Sequence, residues 1–273
     1  MPQSVRVVRF PSVPIGSFDE FEAYRQSNRA QLDGRYLYEV SLASAEPVIA
    51  RPGSCALCLC ATTFSSSTVG GERQPDGRIA PNWREQQYCD CPDNMTQRGR
   101  SLLHFALANK ALQPWMRLML FGRPTSFDRG FDPLVRSVAK TSRLFMAGQA
   151  DDGSATYRLP ADDGAFHTII SSDSLQHVPP LAAALAEFHR VLMPGGRFIF
   201  TIPFHFMSRE TATRIRPGND PLPADIDGEA HAIGWDIIDM LYAAGFDEAH
   251  AHTYWSEELG YLGPFKTIFM ASR

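Results

Sequence analysis

Hydrophobic and polar positions keep their clearest rhythm between Phe166 and Phe204. Residues 168–171, Thr-Ile-Ile-Ser, form a short β-branched run of the kind that fills a central parallel strand, and the run ends in small polar residues. Leu181, Ala184, Leu185, Phe188, Val191 and Leu192 then recur at helical spacing. This predicts a helix over 181–192 with one face buried and Glu187 and Arg190 turned to water. Pro194-Gly195-Gly196 stops that helix, and residues 197–202 resume as a strand. A strand, helix, strand unit nearly always takes the right-handed crossover. The expected fold is therefore α/β with a doubly wound sheet that binds ligands at the carboxyl ends of its strands.

The remaining pattern fills in neighbours. A short helix is expected over 18–26, capped near Ser17, and a strand over 35–40. A helix over 100–112 ends before Pro114. Strands follow at 117–121 and 143–146. Gly234-Trp235-Asp236 opens a helix that closes at Ala244-Gly245-Phe246. Strands near 249–254 and 267–271 are joined by a turn at Gly260-Tyr261-Leu262-Gly263, and the Pro-, Asp- and Gly-rich stretch 211–228 reads as a loop over the substrate side. Three units result: an arm over 1–50, a cysteine-rich module over 51–100 and the sheet domain over 101–273.

Cysteine placement changes this picture most. All five cysteines fall in one short window, as Cys55-x-x-Cys58-x-Cys60 and Cys89-x-Cys91. The first pair has the knuckle spacing of a structural zinc site, in which two tight turns supply four thiolates. The polar run between the turns has too few apolar residues to build a core without a metal clip. Cys55, Cys58, Cys89 and Cys91 are the expected ligands, although five thiols exceed four tetrahedral positions and the odd one is open among Cys58, Cys60 and Cys91. Disulfides and unligated thiols are the alternatives. Trp83-Arg84-Glu85 and Arg98-x-Arg100 flank the second turn, and their basic groups face either an anionic substrate or water.

Charge narrows the partners. The 273 residues carry a net charge of -4 and no long basic run, which argues against a general nucleic-acid surface. No apolar stretch reaches membrane-spanning length, and the amino terminus lacks a secretory core, so a cytoplasmic location is expected.

The core segment, Phe166-His167-Thr168-Ile169-Ile170-Ser171-Ser172-Asp173-Ser174-Leu175-Gln176-His177-Val178, a helix, then Val191-Leu192-Met193-Pro194-Gly195-Gly196, resembles the second half of a class I S-adenosylmethionine-dependent methyltransferase. The resemblance covers roughly 117–273. It implies a Rossmann-like domain built on a doubly wound, mostly parallel seven-stranded sheet, S-adenosylmethionine as cofactor, and a glycine-rich loop after the first strand. Here that loop reads Gly122-Arg123-Pro124-Thr125-Ser126. Gly122, Gln149, Asp151 and Ser172 take the cofactor positions, with Gln149 where a ribose-binding acid is usual. A subgroup of this family with an amino-terminal cysteine module and no obvious glycine-rich loop is closer still. Its members tend to carry His-Gly-Asp-Pro where this chain has Gly218-Asn219-Asp220-Pro221.

His177 and Asp173 are the candidate catalytic residues: a histidine near neutral pKa takes a proton from a hydroxyl or amine acceptor, and Asp173 orients a substrate proton or the cofactor's amino group. The plain alternatives are a helix-capping or cofactor-adjacent histidine that never touches the acceptor, and an aspartate that caps the turn. His205 and Phe206 line an acceptor pocket or pack, and His189 and His231 are read as surface residues. Three functions compete. The first is methyl transfer to an oxygen or nitrogen of a small molecule or sugar, driven largely by positioning. The second is a methyltransferase-fold protein serving as a partner or running a different activity, and the third is water activation at zinc. The third needs an open metal position, whereas an all-thiolate site is ordinarily closed.

Overall fold

A computed structural model describes residues 8–90, 94–122, 135, 140–144, 158–178, 180–213 and 231–273. In chain order the elements are β1 (Ser12–Ile15), α1 (Phe18–Ser27), α2 (Arg29–Ser41), β2 (Val48–Cys55), β3 (Cys60–Ser67), β4 (Glu72–Arg73), β5 (Ile79–Ala80), α3 (Trp83–Gln86), β6 (Gln87–Cys89) and α4 (Gln97–Ala108). They continue with β7 (Arg117–Phe121), β8 (Lys140–Leu144), β9 (Phe166–Ser172), α5 (Leu181–Val191), β10 (Leu192–Thr201), β11 (Ala212–Thr213), β12 (His231–Ala232), α6 (Ile237–Ala243), β13 (Glu248–Ser256) and β14 (Tyr261–Ser272).

The main sheet has the order β1-β13-β14-β10-β9-β7-β8. β8, β7, β9 and β10 are parallel neighbours, while β14 runs antiparallel to both β10 and β13, and β1 is antiparallel to β13. Five strands thus point one way and two the other, but only half of the pairings are parallel, so the sheet is mixed. Helices cover both faces. Ile169, Phe198, Phe200 and Phe269 pack with α5, α6 and Phe21 of α1, whereas Leu118, Leu120, Ile170 and Ile199 pack under α4.

Local chemistry accounts for the elements. Ser17 caps α1 by accepting from the Glu20 N–H. Thr96 caps α4 by accepting from Gly99. The apolar stripe of α5 is buried at Leu181, Ala184, Leu185, Phe188 and Val191, as its spacing requires. Pro194-Gly195-Gly196 does not separate helix from strand. β10 begins at Leu192, and these residues form an irregularity between the Leu192–Phe166 and Arg197–Thr168 pairs. Gly195 there has φ +75.

Residues 35–40 are not a strand. They lie in α2, where Leu32, Tyr36 and Glu39 share one face, and Glu39 accepts from Trp255 Nε1 and Gly263 N, each at 2.7 Å. These contacts across the chain override the β-propensity of Tyr36, Tyr38 and Val40. The helix expected over 100–112 starts earlier, at Gln97, and ends at Ala108. The strand placed at 143–146 is β8, three residues earlier.

β2, β3 and β6 form a separate three-stranded sheet. It docks on the 257–260 turn: Ser54 N donates to Glu258 O at 2.8 Å and Arg51 Nη2 to Glu257 O at 2.7 Å. Gly260, at φ +62, lies so close to Phe64 that an added Cβ would stand 2.6 Å from two of its ring carbons. Arg100, 1% exposed, sits 4.4 Å from the Phe64 ring centroid and donates to Gln87 Oε1 and Leu259 O. This guanidinium thus faces neither substrate nor water. It ties the three-stranded sheet to the turn between β13 and β14.

Candidate active site

The carboxyl ends of β7, β9 and β10 meet at Ser171-Ser172-Asp173. Phe121 pairs with Ser171, which brings Gly122 beside Ser172, and Gly122 has φ +133. Ser172 lies on the α4 side of the sheet, buried, and accepts from Arg98 Nη1. Ser171 faces the other way. Among the described residues its buried Oγ has no hydrogen-bond partner, and neither does Oε1 of Gln176.

Asp173 leaves β9 with φ +43, a backbone region that Asp tolerates better than most residues. Its carboxylate is gripped by both Nη atoms of Arg84 at 2.5 Å and accepts from Thr201 Oγ1 at 2.8 Å. Arg98 Nε stands 3.7 Å away. Glu85 completes the group, accepting from Arg84 Nη1 at 2.5 Å and Arg98 Nε at 3.0 Å. Burial would raise the Asp173 carboxyl, but the charge and hydrogen bonds of Arg84 outweigh it and hold the group down at about 2. Asp173 is thus an ionised anchor, and its lone pairs are already engaged. Arg84 and Arg98 face protein carboxylates and a serine rather than water.

His177 ends the turn Leu175–His177 and is exposed, with Nε2 at 3.2 Å from the Gln176 amide. The structure therefore separates the candidate pair: Asp173 is covered, and His177 stands at the rim. Of the four expected cofactor residues, Gly122 and Ser172 come together, while Gln149 and Asp151 lie outside the described residues. His205 is exposed, and Phe206 packs against Phe21 and Phe265. His189 is half-buried against Phe246. His231, expected at the surface, is 4% exposed between Thr213 Oγ1 and the Val178 carbonyl, and burial pushes its pKa down.

On the same edge of the sheet, α1 and α2 roof a cleft of about 520 Å³ against β13 and β14. Tyr36, Trp255 and Phe265 give it aromatic walls, and Arg25, Arg35 and Glu39 supply polar groups. The Arg35 guanidinium lies 5.1 Å over the Trp255 ring. No sequence pattern announced this cleft, because its floor and roof come from opposite ends of the chain.

In the module, Sγ atoms of Cys55, Cys58 and Cys89 lie within 4.8 Å of one another, and Cys55 and Cys89 are buried. Cys60, exposed, faces Cys55 across the hairpin and is not in the group. Cys91 lies outside the described residues. A hydrogen bond with Cys89 pulls the Cys55 thiol well below its usual range, outweighing burial, with the N–H groups of Cys58 and Leu57 adding to it. Tetrahedral Zn–S bonds of about 2.3 Å place sulfurs roughly 3.8 Å apart, so this donor set suits the ion.

Residues 131–200 match a family model described as a methyltransferase domain. The strand, helix, strand unit is methyltransferase-like. A ubiquinone/menaquinone biosynthesis C-methyltransferase of Methylobacterium nodulans is 42% identical over 55 residues, 20% of this chain. A sarcosine/dimethylglycine N-methyltransferase of Halorhodospira halochloris is 49% identical over 45 residues, 16% of this chain. These matches span only 19% and 16% of the two relatives' own lengths. Among solved structures, a SAM-dependent methyltransferase from Thermotoga maritima is 18% identical with a TM-score of 0.39, covering 63% of this chain and 88% of its own. One from Mesorhizobium loti is 17% identical with a TM-score of 0.39, covering 59% and 92%.

Proposed function

We propose that this chain is an S-adenosylmethionine-dependent methyltransferase acting on an oxygen or nitrogen of a small molecule or sugar. One observation carries the reading: the matched stretch 131–200 includes the unit that ends in Ser171, Ser172 and Asp173 at the ligand-binding edge of the sheet. The unpartnered Ser171 Oγ and Gln176 Oε1 fit a polar cofactor there, since buried groups of that kind are otherwise costly. Gly122 and Ser172 would hold it, together with Gln149 and Asp151. When bound, it supplies a sulfonium methyl group.

The chain's own residues then position the acceptor. The aromatic cleft under α1 and α2 takes its body, and Asp173 acts as a positioning residue that fixes Arg84 and Arg98. His177 lines the exposed rim. The two curated relatives are named for acceptors of different kinds, one a C- and one an N-methyltransferase, so the shared segment speaks for the donor half of the reaction and leaves the acceptor to the cleft. Structural zinc on Cys55, Cys58, Cys89 and Cys91 would hold the module that carries Arg84.

A second reading is favoured by the cover that Arg84 and Arg98 place over Ser172 and Asp173: a methyltransferase-fold partner protein without turnover. Incubation with methyl-labelled S-adenosylmethionine and a panel of hydroxyl and amine acceptors separates the two. Label in a small-molecule product supports methyl transfer, whereas retention of all label in the donor across the panel supports the partner role.

A further inference from the structure

Of 26 lysines and arginines, only Lys110, Lys140 and Lys266 are lysines. One of the three sits at the edge of the sheet where the candidate site lies. Lys266 belongs to β14, opposite Tyr254 of β13. Its stem crosses Gly263: a Cβ added there would stand 2.2 Å from Lys266 Cε and 2.9 Å from Nζ. Gly263 has φ +104, lines the cleft, and donates its N–H to Glu39. Only glycine satisfies that backbone and leaves room for the amine.

The groups that act on this amine come from several elements. Glu39 of α2, Arg84 and Glu85 of α3, and Asp173 at the end of β9 all act on it electrostatically. Tyr254 is its cross-strand neighbour, and Arg98 of α4 belongs to the same Glu85–Asp173 cluster. Yet the carboxylates are committed elsewhere: Asp173 to Arg84, Glu85 to Arg84 and Arg98, Glu39 to Trp255 and Gly263. Among the described residues, Lys266 has no ion pair within 4.0 Å and no hydrogen bond. A half-buried amine without a direct counter-ion is poised to lose its proton, which an arginine in that place would not do.

We infer that Lys266 is the proton acceptor for the group that is methylated, an inference that rests on the methyl-transfer reading. The acceptor's O–H or N–H group forms its new bond to the methyl carbon. The carbon–sulfur bond breaks with its electron pair left on sulfur, giving the thioether, and the acceptor's proton moves to the neutral Lys266 amine. The ammonium then releases it to water. Burial, followed by the charge of Arg84, brings the Lys266 pKa down to about 8, so a working share of neutral amine exists near neutral pH.

The first test uses the native full-length chain and no turnover. Competitive acetylation with acetic anhydride between pH 6 and 11, read by peptide mass spectrometry, should give Lys266 half-maximal reactivity near pH 8, against about 10.4 for a model lysine peptide in the same tube. Titration of Lys266 with the model peptide would overturn the inference. The second test compares wild type, Lys266→Gln and Lys266→Arg, with folding verified by circular dichroism. Donor binding should be kept while turnover falls about 10²-fold in both and the rise of rate toward pH 8 disappears. Wild-type turnover and pH profile in either variant would overturn it. A wild-type chain that does not bind the donor at all would instead bring down the methyl-transfer reading, and calorimetry, not acetylation, would reveal that.

Discussion

Asp173 joins three elements, because Arg84 of α3 and Thr201 of β10 both close on the carboxylate at the end of β9. The Arg84 and Asp173 side chains are 18% and 17% exposed, which places the pair well out of bulk water. Removing one partner of such a pair strands the other. Asp173→Asn should therefore cost about 3 kcal/mol in urea unfolding, with Asp173→Ala at least as costly. The acid limb follows from the same pair. A carboxyl held at about 2, below its unfolded value, contributes stability that is complete above pH 4 and is lost as pH falls toward 2. Roughly 2 kcal/mol should disappear across that window in the wild type, and the Asn variant should lack that part of the acid limb. Gly263→Ala should lower the melting temperature and also shift Lys266 acetylation, since the new methyl group would meet the lysine stem. His177→Ala, at the exposed rim, should leave stability within about 0.5 kcal/mol.

At the scale of elements, what was legible in the sequence was local. Ser17 and the stripe of α5 announced their helices through capping and 3.6-residue spacing, whereas the β13–β14 pair was expected from the likeness of 249–254 and 267–271 to the terminal antiparallel pair of the methyltransferase fold. α2 was misread as a strand because Tyr36, Tyr38 and Val40 look β-like in isolation, whereas Glu39 is fixed by Trp255 and Gly263 from more than 200 positions away. The edge strand β1 was missed for a similar reason: its pairing from Ser12–Tyr254 to Ile15–Ala251 is visible only once the chain closes. The cysteine spacing anticipated the grouping of Cys55, Cys58 and Cys89 but not the arginines near it. Nothing near Arg84 or Arg98 in sequence names Asp173 as a partner. The module's dependence on metal is open to test. Exhaustive chelation, or Cys89→Ser, should release one zinc per chain by dye assay and lower the melting temperature, because ligand binding and folding are coupled in such sites. Gly260→Ala, which drives a methyl group into Phe64, should loosen the same docking by about 1–3 kcal/mol without loss of zinc.

For the whole molecule, the sheet places two kinds of surface on one edge. The ends of β7, β9 and β10 offer small buried polar groups, and the cleft beneath α1 and α2 offers aromatic walls around a volume that suits a small molecule. At that edge Asp173 forms one charge cluster with Arg84, Arg98 and Glu85, which the methyl-transfer reading places between donor and acceptor. No helix among the described residues is long and apolar enough to cross a membrane. The central claim is that this edge binds a sulfonium donor. Calorimetric titration of the purified, zinc-quantified chain with S-adenosylmethionine and its demethylated product addresses it most directly. The account predicts one site per chain with micromolar affinity for both, whereas absence of heat up to millimolar ligand would contradict it.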